Sequence, residues 1–274
     1  MTRAGVLAML FCVLAAAPGR AQSIENARKG YDAILDLYVR DGLVYYRALK
    51  SDRSRLDAFV GALAEARIEN APRDQQVAFW INAYNAIVLQ AIVDRYPIAG
   101  RSADYPGHSV RQIPGVFERA THRIAGRTLT LDQIERDVLA GFHDPRVFFA
   151  LGRGAAGSGR LRSEAFTADR LETQLADARA ECVTRNECVR ISLVDNSVGV
   201  SAIFSWREQE FAAAFRESAA PVFAQRSPIE RAILGFIAPT LLSGEREFLQ
   251  KNQFRIAYLP FDWSLNDLTG RGGQ

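Results

Sequence analysis

The side chains best suited to chemistry gather in one stretch, Phe148 to Leu161, reading FFALGRGAAGSGRL. Gly152, Gly154 and Gly157 spell G-x-G-x-x-G after a short apolar run, the pattern of a loop whose backbone amides cradle a pyrophosphate. That chemistry needs a helix to open directly after the glycines, with its first amides facing the phosphate. Here Ser158-Gly159-Arg160-Leu161-Arg162 follows, and the next helix-capping residue is Thr167. The stretch holds neither the Gly-Lys-Ser/Thr of a P-loop nor the G-x-S-x-G of a serine nucleophile elbow around Ser158. No cofactor is therefore expected. What the stretch offers instead is Arg153, Arg160 and Arg162 on a flexible, glycine-rich loop. Three guanidiniums can grip a carboxylate or phosphate bidentately; a solvated basic loop is the plainer alternative.

Other residue types add less. Asn82 and Asn85 are three apart and share one helix face. Buried, they must be hydrogen-bonded, and the plain expectation is a clamp on neighbouring backbone such as the 152–159 loop, ahead of a direct ligand role. Arg146, in Asp144-Pro145-Arg146, fits a structural ion pair or an anion site. His108, His122 and His143 have no metal-ligand spacing, so no metal site is assigned. Asp262 and Asp267 flank WSLN near the C-terminus, and a paired-carboxylate mechanism would need a third group that the sequence does not supply.

The elements that must position these groups are mostly helical. Asn26–Val39 and Ser54–Ala66 have apolar residues near helical spacing. The strongest helix signal covers about 72–96, with Pro72 at the start, Pro97 at the stop and an apolar circumference between, which predicts a long helix buried in the core. Thr130-x-x-Gln133 and Ser227-Pro228-x-Glu230 are capping boxes that open helices, the first running through Leu139. Thr167 to about Glu181 and the WREQEFAAAFRE segment complete the helices. HRIAGRTLTL reads as a hairpin around Ala125-Gly126, and LVYYRAL, RVFFAL, VRISL, VGVSAIF and FRIAYLPFDW read as extended or strand segments. With no regular strand–helix alternation, the expected class is α+β: a mostly helical single domain with a small, mainly antiparallel sheet.

Residues 1–21 have a basic start, an apolar run over 6–17 and small residues at Gly19 and Ala21, the layout of a secretory signal peptide cut after Ala21. The globular domain then spans 22–274, in the periplasm or outside the cell, with no later membrane span. Losing Arg3 and Arg20 with that peptide leaves 32 basic against 31 acidic side chains, a formal net charge of +1. Such a balance gives no reason to expect a nucleic-acid partner. Export makes a local disulfide between Cys182 and Cys188 the preferred reading of the remaining cysteines.

At FWINAYNA, residues 79–86, the chain resembles the family named only as domain of unknown function 547. LYVRDGLVYYRAL, LTLDQIERDVL, DPRVFFAL, VSAIFSW and FDWSLND resemble further segments of that family, in order. The resemblance implies a histidine in the strand before the central loop and two cysteines in the loop. That residue set invites comparison with papain-like and transglutaminase-like enzymes, where an imidazole activates a thiolate. In this chain those positions hold Phe148, Arg153 and Ser158, which can neither accept a proton as imidazole does nor supply a thiolate. The expectation is a non-catalytic member that binds a small anionic ligand or an envelope protein through Asn82, Asn85, Arg146, Arg153, Ser158 and Arg162. The alternatives are a hydrolase using carboxylates or Ser158 in place of the thiol, and a structural or assembly protein of the cell envelope.

Overall fold

The computed structural model describes residues 18–269. The apolar run assigned to the signal peptide, residues 6–17, lies outside the described residues. Helix α1 (Pro18–Tyr38) packs on α3 (Ser54–Leu63), with the short α2 (Tyr46–Ser51) between them in sequence. Helices α2 and α3 lie beside α4 (Arg73–Arg95), the axis of the molecule. Pro72 precedes its first turn, Asp74 lies in that turn and Arg95 in the last, each charge favourable to the helix dipole. Every residue from Val77 to Leu89 is buried, so α4 is apolar all round because protein surrounds it. It is long and apolar enough to cross a membrane, yet it is the core helix of this fold.

The strands are short. β1 (Val39–Arg40) and β2 (Leu43–Val44) form a hairpin whose turn, Asp41-Gly42, has positive φ at both residues, and β3 (Thr121–Ile124) and β4 (Arg127–Thr130) form another around Ala125-Gly126. β5 (Val189–Ser192) and β6 (Ser197–Ser201) pair antiparallel, while β7 (Arg255–Leu259) joins β6 in parallel. Instead of one small sheet there are three, and the largest is mixed. Both capping boxes are formed: Thr130 and Gln133 start α5 (Leu131–Gln133), which continues as a π-helical segment over Ile134–Leu139, and Ser227 and Glu230 start a helix described below.

The remaining helices are α6 (Leu171–Val183), α7 (Ile203–Trp206), α8 (Glu208–Phe215), α9 (Pro228–Ile237) and α10 (Ser243–Gln250). Several differ from the sequence expectation. RVFFAL is not a strand: Pro145–Phe149 is a 3-10 helix, because Pro145 presets the first turn and the Asp144 carboxylate accepts the Arg146 N–H. LVYYRAL is extended only over Leu43–Val44 before α2 begins, and VGVSAIF leaves the sheet at Ser201, whose hydroxyl accepts the Ile203 N–H as α7 starts. Short apolar runs fit buried strand and buried helix equally well, so tertiary packing decides. Helix α6 opens at Leu171 rather than Thr167, and α10 was not expected.

Phe149 of the 3-10 segment packs among Phe204, Phe211 and Phe236 from α7, α8 and α9, which makes the underside of the central loop a dense aromatic core. Cys182 at the end of α6 is bonded to Cys188 just before β5. Closing so short a loop contributes about 2 kcal/mol on the chain-entropy view.

Candidate functional site

The central loop is held by α4 from one side and by the C-terminal segment from the other. Asn85 donates to the Ala150 carbonyl at 3.0 Å and accepts the Gly152 N–H at 2.8 Å. Asn82, one helical turn earlier, does the same to a different segment, donating to the Phe166 carbonyl at 2.8 Å and accepting its N–H at 2.9 Å. Each buried amide thus satisfies one donor and one acceptor of backbone that no strand or helix would pair. The loop expected at 152–159 is one of these two targets.

On the other side, residues 262–266 run antiparallel to the loop as a strap. The Ala156 N–H donates to Ser264, the Gly157 N–H to Asp262 and the Asn266 N–H to Gly154, with a bridge between Ala155 and Leu265. Arg185 adds bonds to the Ala156 and Ser158 carbonyls. The glycines are explained by this crowding. A Cβ on Gly157 would stand 2.7 Å from the Asp262 nitrogen, and one on Gly159 would stand 1.9 Å from the Phe149 oxygen. Gly154 has φ near +69° and lies against Ile92. Residues 150–155 and 157–159 are buried, so the expected flexible loop is instead packed shut.

Inside this clasp lies an ionic cluster. The π-helical segment presents Glu135, 7% exposed, to Arg153, 3% exposed. Arg153 donates through Nη2 at 2.7 Å and Nε at 3.2 Å, and its Nη1 reaches the Phe148 carbonyl at 3.2 Å. Arg207, just after α7, donates to the same carboxylate from Nη2 at 2.9 Å and Nε at 3.2 Å. Its guanidinium also lies 4.6 Å from the ring centre of Phe148. The Tyr84 hydroxyl stands 3.4 Å from the second carboxylate oxygen. Burial alone would raise the Glu135 carboxyl, but the charges and hydrogen bonds of Arg153 and Arg207 outweigh it and hold it below its ordinary value. Burial would lower the Arg153 guanidinium, and the Glu135 charge more than offsets that. The Tyr84 hydroxyl is pushed well above its usual range by burial and then by Glu135.

The other sequence-singled residues are distributed around this cluster rather than gathered into a cleft. The Ser158 hydroxyl accepts the Arg153 N–H at 3.1 Å. Arg146 is paired with Asp144 and Glu172 at 2.8 and 2.7 Å, and Arg162 with Glu164, Asp177 and Glu181 at 3.2 to 3.3 Å. Arg160 is paired with Asp41. An anion at the loop would therefore have to displace a carboxylate of the chain itself from each guanidinium. Asp262 caps the strap through the Ser264 N–H, while Asp267 is buried and accepts from the Tyr96 hydroxyl at 2.7 Å. His108 hydrogen-bonds the Ile98 carbonyl, His122 is on β3, and His143 has positive φ at the end of a short 3-10 turn. Among the described residues no three His, Cys, Asp or Glu side chains are grouped to hold a metal ion.

Glu135 and Arg207 were not singled out from sequence. The signal for Glu135 was present: Leu131, Ile134, Val138 and Leu139 form an apolar stripe at helical spacing, and the glutamate falls on it. A charge on a core-facing stripe demands a buried partner.

Residues 68–183 of the chain match the family model described as "Protein of unknown function, DUF547", a span running from just before α4 through Glu135 and Arg153 to the end of α6, with Arg207 beyond it. No curated protein and no solved structure matches the chain.

Proposed function

Because residues 68–183 match the DUF547 family model, we propose this chain's function from what it does with that family's central loop: it is a non-catalytic member that works by binding. The observation that carries this reading is the Arg153–Glu135–Arg207 cluster. Where the resemblance implies histidine and two cysteines, Phe148 carries the Arg207 guanidinium, Arg153 is neutralised by Glu135, and Ser158 is spent on an Arg153 amide. Among the described residues no imidazole is hydrogen-bonded to the Ser158 hydroxyl to activate it; the hydroxyl is bonded to an amide that cannot take its proton. With Arg146, Arg153, Arg160 and Arg162 all paired internally, binding falls to the surface around the loop rather than to the loop itself. The signal-like residues 1–21 and the Cys182–Cys188 bridge support an exported protein.

The test is a hydrolase panel of ester, amide and thioester substrates run on the parent protein and on Ser158→Ala. The expected result is turnover at background for both. Turnover by the parent that Ser158→Ala abolishes would overturn the reading in favour of a serine hydrolase.

A further inference from the structure

Beside the ionic cluster the chain exposes a group of aromatic side chains. Trp206 at the end of α7 leaves 44% of its surface to solvent, and Phe261, Trp263 and Tyr105 are partly exposed. Ring centres of Trp206 and Phe261 are 4.8 Å apart, those of Phe261 and Trp263 are 4.5 Å apart, and the two indoles lie 20° from parallel at 6.2 Å. Tyr105 meets Trp263 edge-on at 6.0 Å. A contiguous aromatic patch of this kind on a protein surface marks a place for a ligand.

The charges around the patch select among ligands. Arg111 lies 4.7 Å from the Trp263 ring centre and is paired with Glu118, and Arg153 and Arg207 are balanced by Glu135 and by Glu210, which pairs with Arg207 at 3.4 Å. No net positive charge is left there for an anion. A cation would find the ring faces around Trp263, Phe117 and Tyr105 already taken by the chain's own Arg111. An apolar helix laid on the patch would bury the exposed Asp262 carboxylate that stands in sequence between Phe261 and Trp263, at a cost of several kcal/mol. Asp262 uses Oδ1 to accept the Ser264 N–H, and Oδ2 has no partner among the described residues. The fitting ligand is neutral, has flat C–H faces for the electron-rich rings, and carries hydroxyls that donate to a carboxylate.

We propose that Trp206, Phe261 and Trp263, with the Asp262 carboxylate, form a binding site for a neutral oligosaccharide of pyranose units whose hydroxyls are equatorial. Equatorial substitution leaves the C–H faces of each ring bare for stacking and turns the hydroxyls outward to the rim. The inference rests on the reading of the protein as one that works by binding.

The experiment titrates the full mature protein with cellotetraose and with tetra-N-acetylchitotetraose, followed by tryptophan fluorescence and calorimetry. Tetragalacturonate and inorganic phosphate serve as anionic comparators. Saturable binding of a neutral tetrasaccharide is expected, weakened about tenfold by Trp206→Ala and severalfold by Asp262→Asn, with the melting temperature of both variants unchanged. Absence of neutral-sugar binding at millimolar concentration, equal binding by Trp206→Ala, or preference for the anionic comparators overturns the proposal. Those outcomes leave the hydrolase panel untouched, and activity dependent on Ser158 would overturn the earlier reading without bearing on the patch.

Discussion

Replacing Glu135 with glutamine tests whether the ionic cluster is what holds the loop. The carboxylate accepts four N–H bonds from two guanidiniums, the shortest at 2.7 and 2.9 Å. An amide of the same shape keeps one acceptor oxygen, loses the charge, and turns an NH2 toward a cation. Removing one partner from a buried ionic group costs about 3–5 kcal/mol, because the remaining charge stays buried without compensation. Here the orphaned charge is Arg153, almost wholly buried, while Arg207, whose side chain is 13% exposed, keeps Glu210 at 3.4 Å, so the middle of that range applies. For a domain of this size each kcal/mol lowers the melting temperature by about 2–4 °C, giving a drop on the order of 10 °C. Urea unfolding at about pH 7 supplies the free energy directly. The pH dependence is a second readout. The folded protein holds Glu135 below its ordinary 4.5, so its contribution is complete above that value and is lost as pH falls through the lower folded value. The gap between parent and Glu135→Gln is therefore full at neutral pH and narrows in acid. A loss below about 1 kcal/mol, the size of a surface ion pair, or a gap unchanged in acid would refute the argument.

Two further perturbations probe the clasp. Asn85→Leu strands the Ala150 carbonyl and the Gly152 N–H in the interior; at about 1–3 kcal/mol per orphaned group, a loss of about 2–6 kcal/mol in urea unfolding is expected, against little change for an exposed control such as Glu187→Gln. Gly157→Ala places a methyl 2.7 Å from the Asp262 nitrogen, so the strap must shift; amide hydrogen exchange should rise at Ala156, Gly157 and Asn266, and unaltered protection there would show that the contact is slack.

How much of this was legible in the sequence depends on how local each cause is. The capping boxes at Thr130 and Ser227 and the proline-bounded α4 were readable because their signals lie within a few residues of the structure they specify. The disulfide was readable from the spacing of the two cysteines together with the signal-like composition of residues 1–21. The 3-10 turn at Pro145–Phe149 was not, since five apolar or proline-led residues fit a buried strand equally well. The glycines were misread for a different reason. Gly157 looked like a source of flexibility because the atom that forbids a side chain there belongs to Asp262, more than a hundred residues later. The arginines likewise looked like an anion grip because Glu135, Glu172 and Asp177, which already hold them, are distant in sequence or unremarkable in it.

The three residues standing where the resemblance implies histidine and cysteines are tied to one another. Phe148 offers its ring to Arg207 and its carbonyl to Arg153, while Arg153 gives its backbone amide to Ser158 and its guanidinium to Glu135. Arg153 ties the other two together, and a carboxylate and a second arginine from outside the loop complete the set. Placing a histidine at 148 would remove the phenyl face from Arg207, and placing a cysteine at 153 would leave Glu135 with Arg207 as its one guanidinium beside the Tyr84 hydroxyl, raising its carboxyl toward the neutral form. A thiol and an imidazole reintroduced alone would therefore sit in a site whose remaining charges are arranged for guanidiniums. Thiol and imidazole chemistry at this loop would require Glu135 and Arg207 to change as well, because the cluster, and not any one position of the loop, sets the charge there.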